Sequence, residues 1–320
     1  MKFLIIGLMA TTTIAGAAQA DQIIFAHGAN PGNPRYEAAE MFANLVAACT
    51  AGDTTVNVAG SATMGDDVEM LTSTIAGVIN ITANSQGAMS QIVPEIATIG
   101  LPFLFSDLGT AFEVLDGDVG ALLDERAQNS GLKILGFWDN GIRHVSHTTK
   151  HVPTPADVAG MQIRTPPDQM TITIFTALGA APAPLAFSEL PTALQSGVFD
   201  GQENPLTNIY TSKIHEITPF ITLTGHKYET TPVVAGLGWW SGLDEATQTC
   251  LTDATAEAGA FQRGISLEQN ESLRATMEAE GATFAEIDRE AYIAATAAVY
   301  EQYASQFPEL VEALRQAADE

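Results

Sequence analysis

Hydrophobic and polar positions in the first half of the chain switch repeatedly between a period of two and a helical period. Residues 22–27 alternate and are β-rich, which predicts a strand running into the loop Gly28-Ala29-Asn30-Pro31-Gly32. Asn33 and Pro34 then supply an N-cap and a first-turn proline for an amphipathic helix reaching Cys49. Further strands are predicted at 55–59 and 78–82, separated by a helix carrying Val68, Leu71 and Ile75 at helical spacing. A helix over 111–128 and a buried strand over 132–138 continue the alternation. Strands alternating with helices predict an α/β sheet whose ligand loops gather at the carboxyl ends of the strands. His27 and Asn84 sit at such ends, where they either cap a loop or face a cleft.

The second half carries the more pointed chemistry. Residues 161–165 form a short β-type run holding Arg164, and Pro166-Pro167 stops it, because the rings and missing N–H groups end a ladder. Ser188 is placed to cap a helix whose Leu190, Ala193 and Leu194 face inward and which Gly197 ends. A short strand, Val198-Phe199, then leads into Asp200-Gly201-Gln202-Glu203-Asn204-Pro205, which reads as a turn dense in amide and carboxylate groups. Residues 243–280 are helix-rich, though Gly259 and Gly264 weaken the pattern. Unbroken, this helix would be about 55 Å long, more than one small lobe. A strand at 283–287 and helices at 289–305 and 308–318 complete the chain.

The first twenty residues change what has to fold. Lys2, an apolar run over 3–9 and the end Ala18-Gln19-Ala20 fit a secretory signal peptide cleaved after Ala20, and no later run is long enough for a membrane helix. The remainder is more than one core usually serves, so two lobes are expected. The net charge of −25 argues against nucleic acid or anionic membrane as partners. In that field any anion site must rely on local cations. Arg143 and Arg164 lie in apolar, strand-like runs, which suits either a structural ion pair or an anion fork. Cys49 and Cys250 each sit on an apolar helical stripe, and both a disulfide and two separate buried thiols are open.

Enzyme chemistry finds little support. His144-x-x-His147-x-x-x-His151 invites a metal, but residues three apart on a strand point to opposite faces, so no metal or cofactor is expected. HExxH, GxSxG and CxxC motifs are absent, and the 28–32 loop lacks the spacing of a phosphate cradle. A periplasmic metal-dependent enzyme stays as the rival reading, and a ligand-sensing receptor partner as a third.

Three stretches carry a resemblance: IRTPP through SGVFDGQENP within 162–205, LTGHKY at 223–228, and PEIATIGLPFLF at 94–105. They resemble the DctP-like solute-binding proteins of tripartite ATP-independent periplasmic (TRAP) transporters, and a weaker likeness runs from residue 23 to about 304. The resemblance implies a two-lobed periplasmic binding protein fold of α/β class with a long helix spanning both lobes. Lobe I would be 21–140 plus 229–269, and lobe II 141–228 plus 270–320. It also implies that Arg164 forks the carboxylate of an organic acid, that Asn204 holds one of its oxygens, and that Arg143 binds the same group or a neighbouring oxygen. Phe187 would pack on the ligand, with His27 and Asn84 lining the cleft and Glu69 and Asn208 as further candidates. Glu203 could orient an arginine from behind. Trp239-Trp240 departs from the family's pattern and is expected in a hinge or core. With His27, Asn84 and Glu69 as hydroxyl partners, a sugar acid such as a uronate or aldonate is expected over a C4-dicarboxylate. The implied partner is a TRAP membrane permease, with no stable membrane insertion of this chain.

Overall fold

A computed structural model describes residues 21–105 and 107–319; the expected signal segment lies outside the described residues. Among the described residues nine strands form one mixed sheet: β1 (Asp21–His27), β2 (Thr54–Ala59), β3 (Ile81–Ala83), β4 (Leu132–His147), β5 (Gln162–Thr165), β6 (Ala181–Pro184), β7 (Gly201–Asn204), β8 (Phe220–Gly236) and β9 (Thr283–Ala285). Their spatial order is β2-β1-β3-β8-β4-β7-β5-β6, with β9 on β8. The expected N-cap is present, since Asn33 accepts from the Arg35 N–H and Pro34 opens the helix Pro34–Cys49.

Two long antiparallel strands unify this sheet. β4 and β8 have 16 and 17 residues, roughly 50 Å each. One end of β8 pairs with β3, its other end pairs with β9, and the far end of β4 pairs with β7. The strand expected at 132–138 therefore continues to His147. Asp139-Asn140-Gly141 resembles a turn but is a register shift, with Gly141 at φ +112° absorbing the extra residue.

Other expectations are corrected. Residues 200–205 do not form a turn after a strand at Val198-Phe199; Val198 is exposed and the strand is β7, buried along its length between β4 and β5. The single helix over 111–128 is two, Leu108–Asp116 and Asp118–Asn129, broken at the extended Gly117. The strand expected at 78–82 lies at Ile81–Ala83, with Val78 in solvent. Ser188 caps no helix; it lies in a 3-10 turn, Phe187–Glu189, before the helix Leu190–Gln195.

The helix Glu245–Ala279 runs unbroken for 35 residues. Its first part packs Leu251, Ala254 and Ala258 with Phe25, Phe42, Trp138 and Trp240, and its last part packs Leu273 and Met277 with Ile209, Ile214 and Ile221. It thus bridges two separate cores. Gly259 is required for close approach, because a Cβ there would lie 2.9 Å from the Trp138 ring. Trp239 and Trp240 belong to the first of these cores. Cys49 and Cys250 are disulfide-bonded, Cα to Cα 6.1 Å, tying the helix Pro34–Cys49 to the long helix. The helix Pro308–Asp319 sets Leu310 and Leu314 against Ile96, Leu115 and Leu123, while Val311 joins Val145 and Ile163. Among the described residues no helix is long and apolar enough to cross a membrane.

Candidate functional site

A cavity of about 850 Å³ opens between the loop after β1, the start of the helix Asp67–Ile75, and the ends of β5, β6 and β7. Six of the eight expected residues line it: Arg164, Asn204, Arg143, Phe187, Glu69 and Asn208.

Arg164 sits near the end of β5 and is 2% exposed. Its Nε and Nη2 both donate to the Leu185 carbonyl, at 2.9 and 2.6 Å, which fixes the plane of the guanidinium. Phe187 lies with its ring centroid 5.7 Å from Cζ. Among the described residues no carboxylate comes within ion-pair distance, and Nη1 makes no hydrogen bond. Burial lowers its pKa to about 10, partly opposed by Glu203, so the group stays cationic at neutral pH. The edge carrying Nη1 and the second Nη2 hydrogen is free to take a carboxylate.

Arg143 is equally buried but already paired. Nε and Nη2 donate to the two Glu203 carboxylate oxygens at 2.5 and 2.6 Å, Nη1 donates to Glu229, and Nη2 also reaches Asn204 Oδ1 at 3.1 Å. Burial opposes its charge, yet Glu203 and Glu229 overcome that and raise its pKa. The same contact holds the Glu203 carboxyl down at about 2: burial alone would raise it, and Arg143 and His226 outweigh burial. Arg143 therefore contributes a fixed wall and an oriented Asn204 more than a spare charge. Asn204 Nδ2 donates to Gln202, and Asn208 donates to Asn140 and accepts from Asn33, so the amides form one hydrogen-bonded surface. Glu69 spends one oxygen on the Asp66 N–H at its helix start.

His27 and Asn84 do not line the cavity. His27 is fully buried, accepts from the Ala29 N–H, and packs edge-on against Phe25 and Tyr36. Burial, and then Arg35, pushes its pKa to about 3, so it is neutral. Asn84 donates to the Asp67 carbonyl and to Thr82 Oγ1. Both hold loops of the site from behind. His144 and His147 accept from the N–H groups of Gly225 and Thr149, and His151 meets Thr283. Among the described residues no group of three His, Cys, Asp or Glu is arranged to hold a metal.

Sequence reasoning missed several lining residues. Arg35 is 6% exposed and reaches Asn140 Oδ1 at 3.0 Å; a cation in the first turn of its helix was the signal. Asp66 accepts from the Ser188 hydroxyl at 2.7 Å and its N–H at 3.4 Å, joining segments 122 residues apart across the cavity. Asn30 reaches Ser212 in the same way at 3.2 Å. No local pattern marks such contacts.

Residues 25–306 match the family model for bacterial extracellular solute-binding protein, family 7 (DctP). An uncharacterized protein of Sinorhizobium fredii is 48% identical over 91% of this chain; the chain spans 54% of that protein's length. The sugar acid binding protein of Advenella mimigardefordensis, in complex with galactonate, is 31% identical with a TM-score of 0.91, covering 94% of this chain and 98% of that one. A TRAP periplasmic solute-binding protein of Sulfurospirillum deleyianum with bound succinate is 29% identical with a TM-score of 0.88, covering 92% and 98%. The chain belongs to the DctP family of TRAP transporter solute-binding proteins, whose members bind organic acids, and it has their two-lobed α/β fold.

Proposed function

We propose that the protein is the exported solute-binding subunit of a TRAP transporter, released from its signal peptide after Ala20, and that it captures a sugar acid, a uronate or aldonate, for delivery to the membrane permease. The observation that carries the organic-acid reading is Arg164: a buried, cationic guanidinium on a cavity wall with no carboxylate partner among the described residues. Burying such a charge is costly unless a counter-ion completes it. A ligand carboxylate does so, and the Leu185 carbonyl has already oriented the fork.

The rest of the lining favours hydroxyl groups. Asp66, Asp67, Glu69 and Glu189 all reach the cavity. Carboxylates accept from sugar hydroxyls and repel a second ligand carboxylate. The alternative, a C4-dicarboxylate, draws support from the succinate-bound Sulfurospirillum structure. The galactonate complex supports the sugar acid. Arg164, Asn204, Asn208, Phe187 and Glu69 would meet the ligand directly and Arg143 through Asn204; His27 and Asn84 act on loop position. The lobes are taken as 21–140 with 229–269 and 141–228 with 270–320, so that closure works across β4, β8 and the long helix.

A thermal-shift screen of the mature protein against uronates, aldonates, C4-dicarboxylates and keto acids tests this reading. A ligand at a hundred times its Kd adds about 2.7 kcal/mol of stability. A selective shift by uronates or aldonates is expected. A shift by dicarboxylates alone would move the assignment to the alternative, and no shift with any acid, after refolding to strip carried-over ligand, would remove the reading.

A further inference from the structure

Resting on the organic-acid reading above, we propose that Arg35 is a second ligand-reading residue, which donates to a hydroxyl or carbonyl oxygen on the acid's carbon chain, away from the carboxylate, and so sets which acids the cavity accepts.

Its position is unfavourable on two counts. Arg35 lies in the first turn of the helix Pro34–Cys49, where the helix dipole disfavours a cation. It is also 6% exposed. Burial lowers its pKa, with Arg143 adding to the effect and Asp67 and Glu229 opposing it. Two other buried cations have direct carboxylate partners: Arg143 has Glu203 and Glu229, and Lys227 has Asp168. Arg35 has none within ion-pair distance among the described residues. Its contacts are neutral oxygens, Asn140 Oδ1 at 3.0 Å and the Ala83 carbonyl at 3.5 Å, and its Nε has no partner. Arg164 has the same profile, and both line the cavity. A side chain serving only to fill space would be better apolar.

The surroundings aim it. Asn140 accepts from Arg35 and from Asn208 through Oδ1 and donates to Glu229 through Nδ2, so the guanidinium is braced from one side. Asp67 lines the same cavity as Arg35 and Arg164, and its charge favours the charged form of both. One Asp67 oxygen accepts from the Ser85 N–H and hydroxyl. The other makes no hydrogen bond among the described residues, and it lies 3.1 Å from where a Cβ on Gly28 would sit, facing the loop that lines the cavity. A ligand hydroxyl between the two groups can accept from Arg35 and donate to Asp67. A second ligand carboxylate would instead meet the Asp67 charge. The class implied is a monocarboxylate with an oxygenated chain.

The test is calorimetry with galactonate, glucuronate, glycolate and succinate on wild type, Arg35→Met, Arg35→Lys and Arg164→Ala, with circular dichroism and melting temperature as fold controls. Glycolate keeps the carboxylate and lacks the chain. Arg35→Met is expected to weaken the six-carbon acid the wild type prefers by about 10- to 100-fold, and glycolate by less than about 3-fold. Arg164→Ala should abolish binding of both. Should Arg35→Met fail to fold, the same ranking is read in Arg35→Lys, which keeps the charge and loses the fork. Equal loss of glycolate and the six-carbon acid, an unchanged six-carbon affinity, or a wild-type preference for succinate would overturn the role of Arg35. A wild type that binds none of the acids would overturn the organic-acid reading and this inference with it.

Discussion

Arg143 and Arg164 are each 2% exposed, yet one is held by two carboxylates and the other by a single carbonyl. On the proposed function, that difference separates a structural cation from a ligand anchor. Both were conspicuous in the sequence as cations in apolar runs. Their pairing was not, because Glu203 and Glu229 lie 60 and 86 residues from Arg143 and meet it only across the sheet. His27 and Asn84 were rightly seen at strand ends, but which way a terminal side chain turns depends on the loop that wraps it. Arg143 with Glu203 also gives a pH signature. The Glu203 carboxyl falls from an ordinary 4.5 to about 2 on folding, so its contribution is full above about pH 5 and is lost as pH falls through the folded value. That amounts to about 3 kcal/mol. Glu203→Gln is expected to lower stability at pH 7 by a similar amount and to flatten the acid limb between about pH 5 and 2. Urea unfolding against pH measures it, and an unchanged acid limb would show that another carboxylate carries it.

Among the elements, the legible ones were those whose own pattern decides them: β1, the capped helix Pro34–Cys49 and the long helix. The illegible ones answer to neighbours. β7 is Gly-Gln-Glu-Asn, which alone reads as a turn and becomes a buried strand because Gln202, Glu203 and Asn204 find partners in Ser146, Arg143 and Asn208. β4 passes through Asp139-Asn140-Gly141 because a bulge absorbs it. The disulfide could not be read at all, since its cysteines are 201 residues apart. Closing so long a loop constrains the unfolded chain strongly. Replacing Cys49 and Cys250 by Ser is expected to cost about 2–5 kcal/mol in denaturant unfolding while leaving acid binding unchanged, because neither residue lines the cavity. A loss of affinity in the folded variant would instead couple this bond to the site.

At the scale of the whole molecule, a chain with net charge −25 sets two buried arginines that have no ion-pair partner among the described residues, Arg35 and Arg164, on the wall of one cavity. The strand pair β4 and β8 and the long helix run through the whole body, and Asp66 with Ser188 and Asn30 with Ser212 join its two sides across the opening. On the proposed function, an acid bound there would be held in low dielectric, where a charge-assisted fork is strong if its remaining hydrogen bonds are met. The most direct measurement is calorimetric titration of the best acid from the screen into wild type, Arg164→Ala and Arg164→Lys. Loss of at least about 100-fold in both variants is expected, because an ammonium cannot copy the planar fork. Near-wild-type affinity in a folded Arg164→Ala protein would contradict the assignment of Arg164 as the carboxylate anchor.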